Sequence, residues 1–401
     1  MSSPSAKGND LYITAYTLSS ALGNGNPATL RRLLSGAGGL TEYPLENEQV
    51  TWLGRIAEDD SDEPPVDLGP LDCVSNRLLA AAARRDGFQP AVARAVAKYG
   101  SNRVGCFVGT ITAGLMHIED CYRLNNPGGD DLGDDTRLDE VLNLFSPAEC
   151  CQKLFGISGP AVTVSTACSS SAKVFAAAAR HIRAGFCDAA VLVGIEAACD
   201  TIIYGFRSLG LLSTSPCRPW DRHRDGISVG EAAGFALIES DHAGFDDIGL
   251  LGYGESCDAY HMTAPHPNGD GAYAAIETAL RRAGLDARDI DYINLHGSGT
   301  PANDASEDAA ILRMFGDQVV CSSTKGWTGH TQGAAGITEA IICFMAMKNG
   351  FAPASLNTEV QDSGLRARVA LKNQPFRIRN VLSNSFGFGG NNCALIFGEP
   401  R

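Results

Sequence analysis

Short β-branched or apolar runs alternate along the chain with longer, Ala-rich amphipathic runs, and the alternation occurs twice. Residues 11–21 read as a strand leading into the turn Gly23-Asn24-Gly25, and residues 27–34 as a short helix. Residues 41–67 are acidic and Pro-containing, which predicts a surface excursion before helices at 76–85 and 90–99 and a buried strand at 103–109. The run NNPGGDDLGDD at 125–135 holds too many breakers and like charges for the interior of an element, and reads as a loop. Next come a strand at 161–166, a helix at 170–183 ended by Gly185, and buried strands at 189–194 and 230–239. Beyond the polar joint 241–247 the pattern restarts with strand 248–255, helix 272–283 and strand 291–295. A further round supplies strand 319–322, helix 336–348 and strands near 368–371 and 379–383. Strands near both ends of each half predict two related α/β layers, residues 1–245 and 246–401, in place of independent domains on a linker. The duplication is one of pattern, since the residues themselves show no repeat.

The stretch Thr166-Ala167-Cys168-Ser169-Ser170-Ser171 joins a predicted strand to a predicted helix. A cysteine there faces unpaired helix N–H groups, and the helix dipole favours its thiolate. The dipole is worth at most about 2 kcal/mol, which brings a thiol from about 8.5 only to about 7. A nucleophile at this position therefore calls for a basic partner from elsewhere in the chain. A buried structural cysteine fits the local context equally well.

Composition narrows the setting. A chain of 401 residues, 44% hydrophobic and 19% charged, is long enough for a large core or for two similar packed units. The N-terminal MSSPSAKGND is polar, and the most apolar run, 186–199, is interrupted by Asp188 and Glu196, so neither secretion nor a membrane span is expected. Thirteen cysteines, an odd number without CxxC spacing, fit reduced thiols and a cytoplasmic location. The eight histidines include no HExxH, so metal catalysis is not expected. A net charge of −14 argues against general nucleic-acid affinity. Arg77, Arg84 and Arg85 share one predicted helix, as a solvated face or as a local basic patch.

Three later stretches place polar residues after apolar strands, where α/β folds collect their chemistry. In Tyr292-Ile293-Asn294-Leu295-His296-Gly297-Ser298-Gly299-Thr300-Pro301, His296 ends the strand among small residues. In Ser323-Thr324-Lys325-Gly326-Trp327-Thr328-Gly329-His330, the second histidine precedes a small-residue helix start and lies five residues after Lys325. The third stretch, Asn384-Ser385-Phe386-Gly387-Phe388-Gly389-Gly390-Asn391-Asn392, is a bulge or tight turn, or a set of backbone N–H groups aimed at a developing oxyanion.

With TACSSS, HGSGTPAND, STKGWTGH and SNSFGFGGNN in this order and at these separations, the chain resembles the β-ketoacyl-acyl carrier protein synthases, the elongating condensing enzymes of the thiolase superfamily. The resemblance runs from about Leu11 to Phe397 and includes CRPWDRHRDGISVGEAAG and DAYHMTAPHPNGDG. It implies a five-layer αβαβα fold of two similar halves, dimerised through an edge strand of the first, as a homodimer or as a heterodimer with a related ketosynthase or chain-length factor. It implies no permanently bound cofactor, the substrates arriving on the phosphopantetheine of an acyl carrier protein. By the resemblance Cys168 is the nucleophile, and His296 with His330 are the pair that bonds the malonyl thioester oxygen as CO2 leaves. Lys325 and Glu339 are an ion pair that orients the second histidine, and Asp304 is a supporting acid. The backbone N–H groups of Cys168 and Phe388 form the oxyanion hole, Phe388 between Gly387 and Gly389 gates the acyl channel, and Ser298 and Thr300 hold the pantetheine arm. Two imidazoles donating N–H bonds in a dry pocket stabilise an enolate, and removing one such donor typically costs about 3 to 4 kcal/mol.

The chain departs from the family at Asn391-Asn392-Cys393, where relatives commonly have Thr after the double glycine, and at Gln332. These departures bear on the acyl substrate; NNC and GWTGH are similar to condensing enzymes of bacterial aryl polyene clusters. Three other readings are discriminated by the same motifs. A non-catalytic chain-length factor usually lacks the cysteine, a thiolase carries a second cysteine in its C-terminal glycine loop, and a starter enzyme has Asn in place of one histidine. For an acidic carrier protein, Arg77, Arg84, Arg85 and Arg207 are the docking candidates.

Overall fold

The structure, a computed structural model, describes residues 11–46, 49–57, 66–125, 137–241, 244 and 248–400. Most of the predicted loop 125–135 and of the joint 241–247 lies outside them.

Each half of the chain lays down five strands in the same spatial order. In the first half, Ala161–Val164, Val104–Gly109, Ala189–Glu196, Ala232–Glu239 and Tyr12–Ser20 lie side by side, that is, strands three, two, four, five and one of that half. In the second, Val320–Ser322, Tyr292–Asn294, Asn380–Gly387, Asn391–Gly398 and Ile248–Cys257 repeat the order, with Arg368–Val369 added at the edge. Directions repeat too. Each half has two parallel pairings at its outer end and two antiparallel pairings at its inner end. The two first strands meet at Tyr12↔Gly249 and Ile13↔Ile248, which makes one continuous ribbon.

Helices separate and cover these sheets. Ser170–Arg183 and Ala335–Asn349, each following the third strand of its half, pack against one another between the sheets. Ala172 to Ala179 of the first are buried apart from Lys173, and twelve residues of the second, which is apolar on nearly every side, are buried. Val74–Ala83, Phe88–Tyr99 and Ser146–Phe155 cover the outer face of the first sheet, and Asp270–Ala283 with Pro301–Phe315 that of the second. The result is the five-layer αβαβα arrangement of the thiolase fold, with apolar packing between successive layers.

Several elements differ from the sequence reading. The stretch 41–67 is not only a surface excursion: Leu40–Pro44 and Val50–Gly54 form a hairpin whose second strand pairs with Val229–Gly230, burying Thr51 and Leu53. Helices Leu115–Asn125, Ser146–Phe155, Asp200–Ser208 and Pro301–Phe315, and the strand Asn391–Gly398, were not expected. Pro301–Phe315 hides because the residues on its buried side include Asp304, Glu307 and Asp308, which read as a solvated face. Among the described residues no helix is long and apolar enough to cross a membrane.

Candidate active site

The duplication brings the ends of equivalent elements together. Cys168 follows the third strand of the first half, and Ala167 before it takes φ +51°, a sharp strained turn that presents the cysteine at the start of the central helix. His296 follows the second strand of the second half, and His330 follows the third. One ligand atom from each of these three residues lies within 4.8 Å of the others. The two imidazoles stand edge to face at 5.3 Å, with the Phe386 ring 5.9 Å from that of His296.

Hydrogen bonding fixes the tautomers. His330 Nδ1 accepts the Gln332 backbone N–H at 3.2 Å, and His296 Nδ1 faces the Lys325 ammonium at 3.4 Å. Both Nδ1 atoms therefore act as acceptors, which leaves the proton on Nε2 of each ring. Burial first, and then the Lys325 charge, hold both histidines well below the usual imidazole range, so the rings are neutral near pH 7. Among the described residues this thiol and these two imidazoles are the one convergent set of three metal-type ligands. A ring that keeps its Nε2 proton offers an N–H to the site and no lone pair for a metal.

Cys168 corrects the simple expectation of a thiol lowered by a helix dipole. Only 7% exposed, it is pushed up to about 11 by burial, against the pull of the Lys325 charge and of the backbone N–H groups of Phe388 and Cys168 itself. Burial outweighs the dipole and the Lys325 charge together, because an enclosed thiolate loses its hydration. The same two N–H groups converge on the sulfur.

Lys325 and Glu339 form a buried ion pair, but it does not orient the second histidine as expected. The ammonium bonds the His296 backbone oxygen and faces His296 Nδ1, whereas His330 is held by the Gln332 N–H. Burial raises the Glu339 carboxyl to about 7 in spite of Lys325. Asp304 touches neither imidazole. It accepts the backbone N–H groups of Trp220 and Gly299 and lies 3.5 Å from Arg224, so it braces the turn after His296. Burial raises it to about 6.

Glu307 was missed by the sequence reading. Its carboxylate accepts the His296 and Gly297 backbone N–H groups, both at 2.8 Å, and the Asn384 amide at 3.1 Å. It thus ties the first histidine to the strand that leads to the glycine turn. Its spacing, eleven residues after His296 on an acid-rich helix, gave no sign of this. Glu196 was missed as well. It is buried at the end of its strand, accepts from Thr110, Ile111 and Thr112, and is raised to about 7 by burial.

A pocket opens over Cys168, His296 and His330. Ser298 and Thr300 line it with their hydroxyls 2.9 Å apart, and so do Phe388 and Phe206, whose rings stand edge to face at 5.9 Å. Gly387 allows close approach: a Cβ there would come within 3.0 Å of the Cys168 and Thr166 backbone. Of the arginines considered for docking, Arg207 lies beside Phe206 and bonds Gln49, while Arg77 is held by both oxygens of Asp72.

A reachable thiol under two N–H donors, opposite two neutral imidazoles that can stabilise an enolate, fits a carbon–carbon bond-forming enzyme of the thiolase fold. Residues 9–243 match the family model for the β-ketoacyl synthase N-terminal domain, and residues 249–359 match that for its C-terminal domain. The 3-oxoacyl-[acyl-carrier-protein] synthase 2 of Vibrio cholerae is 32% identical over 96% of this chain and 98% of its own. That of Rhizobium meliloti is 34% identical, over the same 96% and 98%. A ketosynthase from Xenorhabdus doucetiae, solved in complex with its chain length factor, is 37% identical over 100% of both chains, with a TM-score of 0.91. The chain belongs to the β-ketoacyl synthase family, whose members are condensing acyltransferases.

Proposed function

We propose that the protein is a 3-oxoacyl-[acyl-carrier-protein] synthase in which Cys168 accepts an acyl chain and His296 and His330 serve the decarboxylative condensation. The observation that carries this reading is the convergence of the Cys168 sulfur and one nitrogen of each imidazole within 4.8 Å. In the first half-reaction the Cys168 sulfur attacks the carrier thioester, and its proton ends on the departing carrier thiol. The Phe388 and Cys168 N–H groups hold the tetrahedral oxygen. In the second, the malonyl thioester loses CO2, and the two Nε2–H groups hold the enolate oxygen. The enolate carbon then attacks the acyl carbonyl, and Cys168 leaves as thiolate to be reprotonated. The product is a 3-oxoacyl thioester two carbons longer.

Ser298 and Thr300 are proposed to bond the amides of the phosphopantetheine arm, and Phe388 to close the channel between Gly387 and Gly389. Residues 1–245 and 246–401 are proposed as the two thiolase-like halves. The Xenorhabdus doucetiae and ishigamide ketosynthases, 37% and 28% identical, are both described with a chain length factor. That supports a heterodimer in which this chain, with its cysteine in place, is the catalytic half. The similarity of NNC and GWTGH to aryl polyene condensing enzymes supports a polyene substrate.

The test is intact-mass spectrometry after incubation with carrier proteins loaded with saturated, polyenoic and aryl-capped chains. One acyl adduct per chain is expected, with none on Cys168→Ala, which should keep its fold while losing condensation. Adduct formation on the Ala variant, or none on the wild type with or without a partner, would reject Cys168 as the acceptor.

A further inference from the structure

The glycine turn that carries the Phe388 N–H has little stiffness of its own. Gly389 and Gly390 take φ +77° and +74°, a conformation that costs glycine little to enter or leave. Something else must hold the N–H over the Cys168 sulfur. On the outer side the turn leans on the segment after Ile248–Cys257: Gly389 N donates to Met262 O at 2.7 Å, and Asp258 N to Gly390 O at 3.0 Å. A side chain also ties the turn to the nucleophile helix. Lys173, five residues after Cys168 on the central helix, donates from Nζ to Asn391 Oδ1 at 3.1 Å.

Asn391 is the residue at which the turn becomes strand, paired with Gly387 on one side and Cys257 on the other. Its amide nitrogen lies beside Gly389, 3.2 Å from where a Cβ would be. One side chain thus underlies the turn and reaches the nucleophile helix. Both partners are half-buried, and among the described residues Asn391 is the ammonium's one hydrogen-bond partner and no carboxylate forms an ion pair with it. The neighbouring Glu255 is engaged by Arg180. A charge-assisted bond in a partly dry setting is stronger and shorter than a neutral one, so it suits a strut.

We propose that Lys173 is a positioning residue that, through Asn391, fastens the glycine turn to the helix bearing Cys168 and keeps the Phe388 N–H aligned with the acyl oxygen. The inference rests on the reading of that N–H as an oxyanion donor. Lys173 touches no reacting atom and acts through the turn.

The experiment compares Lys173→Met, Asn391→Ala, the double variant and Lys173→Arg in single-turnover transfer from octanoyl-carrier protein to Cys168, followed by intact mass. Each single truncation is expected to lower the transfer rate constant about tenfold while the half-saturating donor concentration moves less than about twofold. The double variant should be no slower than either single one, and Lys173→Arg should keep most of the rate. Unchanged single variants, or losses that multiply in the double, would overturn the proposal. Hydrogen exchange over residues 385–392 gives a readout that needs no turnover. Exchange there should quicken in Lys173→Met and Asn391→Ala, and unchanged exchange would overturn the latch by itself. A wild-type protein that loads no acyl chain would defeat the functional reading, while the exchange result would still decide the latch.

Discussion

The two histidines are kept neutral by burial and by a lysine that one of them touches. Protonation would add a cation beside Lys325 in a dry site, so the neutral form, with its Nε2 proton, persists well below the usual imidazole range. In the proposed reaction the active form is the neutral one, so activity is expected to fall on the acid side as pH drops through the folded-state value. Lys325→Ala removes a positive charge and raises that value, although burial still holds it down. The acid limb of malonyl decarboxylation should therefore move to higher pH. A pH–rate profile of wild type and variant checks this; an acid limb that stayed in place or moved down would mean that Lys325 does not set the imidazole charge. At this scale the sequence named residues that the fold brings together and was a poor guide to their neighbours. His296, His330 and Lys325 stand in motifs; that Lys325 meets His296 is decided by a side chain reaching across from the short helix Lys325–Thr328.

Packing of the two central helices holds the cysteine and the second histidine at their spacing. Gly336, at the start of Ala335–Asn349, has no room for a side chain: a Cβ would stand 2.3 Å from the Ala172 backbone nitrogen, four residues after Cys168. Gly336→Ala should cost about 1 to 3 kcal/mol by overpacking and lower condensation as the helices part. Gly205, inside Asp200–Ser208 with nothing within 4 Å, is the contrast, and Gly205→Ala should be neutral or stabilising by up to about 1 kcal/mol. Denaturant unfolding of both variants, with the condensation rate, checks the pair. Equal effects would mean that the helix contact is not a constraint. Most of the helices that pack on the sheets were legible in the sequence, whereas Ser146–Phe155 and Pro301–Phe315 were not. The inward Asp304, Glu307 and Asp308 of the latter satisfy backbone N–H groups of other segments, which no periodicity can announce.

The molecule as a whole ends on one side in an unpaired strand. Ala161–Val164 pairs with Val104–Gly109 and, among the described residues, with no strand beyond it; its side chains are only partly buried, and Thr163 Oγ1 is buried without a hydrogen-bond partner. An edge of this kind invites a second chain. Light scattering should find a dimer, homomeric or with a related subunit, and Thr163→Lys should shift it towards monomer while leaving the far-UV spectrum unchanged. An unaltered mass would remove this edge as the contact.

The sequence by itself determined the order of strands and helices through most of the chain, their repetition, and the four motifs that hold the reacting residues. Those properties follow from local preference: β-branched runs, Ala-rich faces and glycine at turns act within a few residues. Tertiary structure decided what depends on distance and dielectric. It set the strand order shared by both halves and raised the thiol to about 11 where a helix dipole alone would have lowered it. It also paired Lys325 with the first histidine and set Glu307 behind it. Burial and through-space contact join residues that lie tens to hundreds of positions apart, and these terms take their size from the folded surroundings of each group.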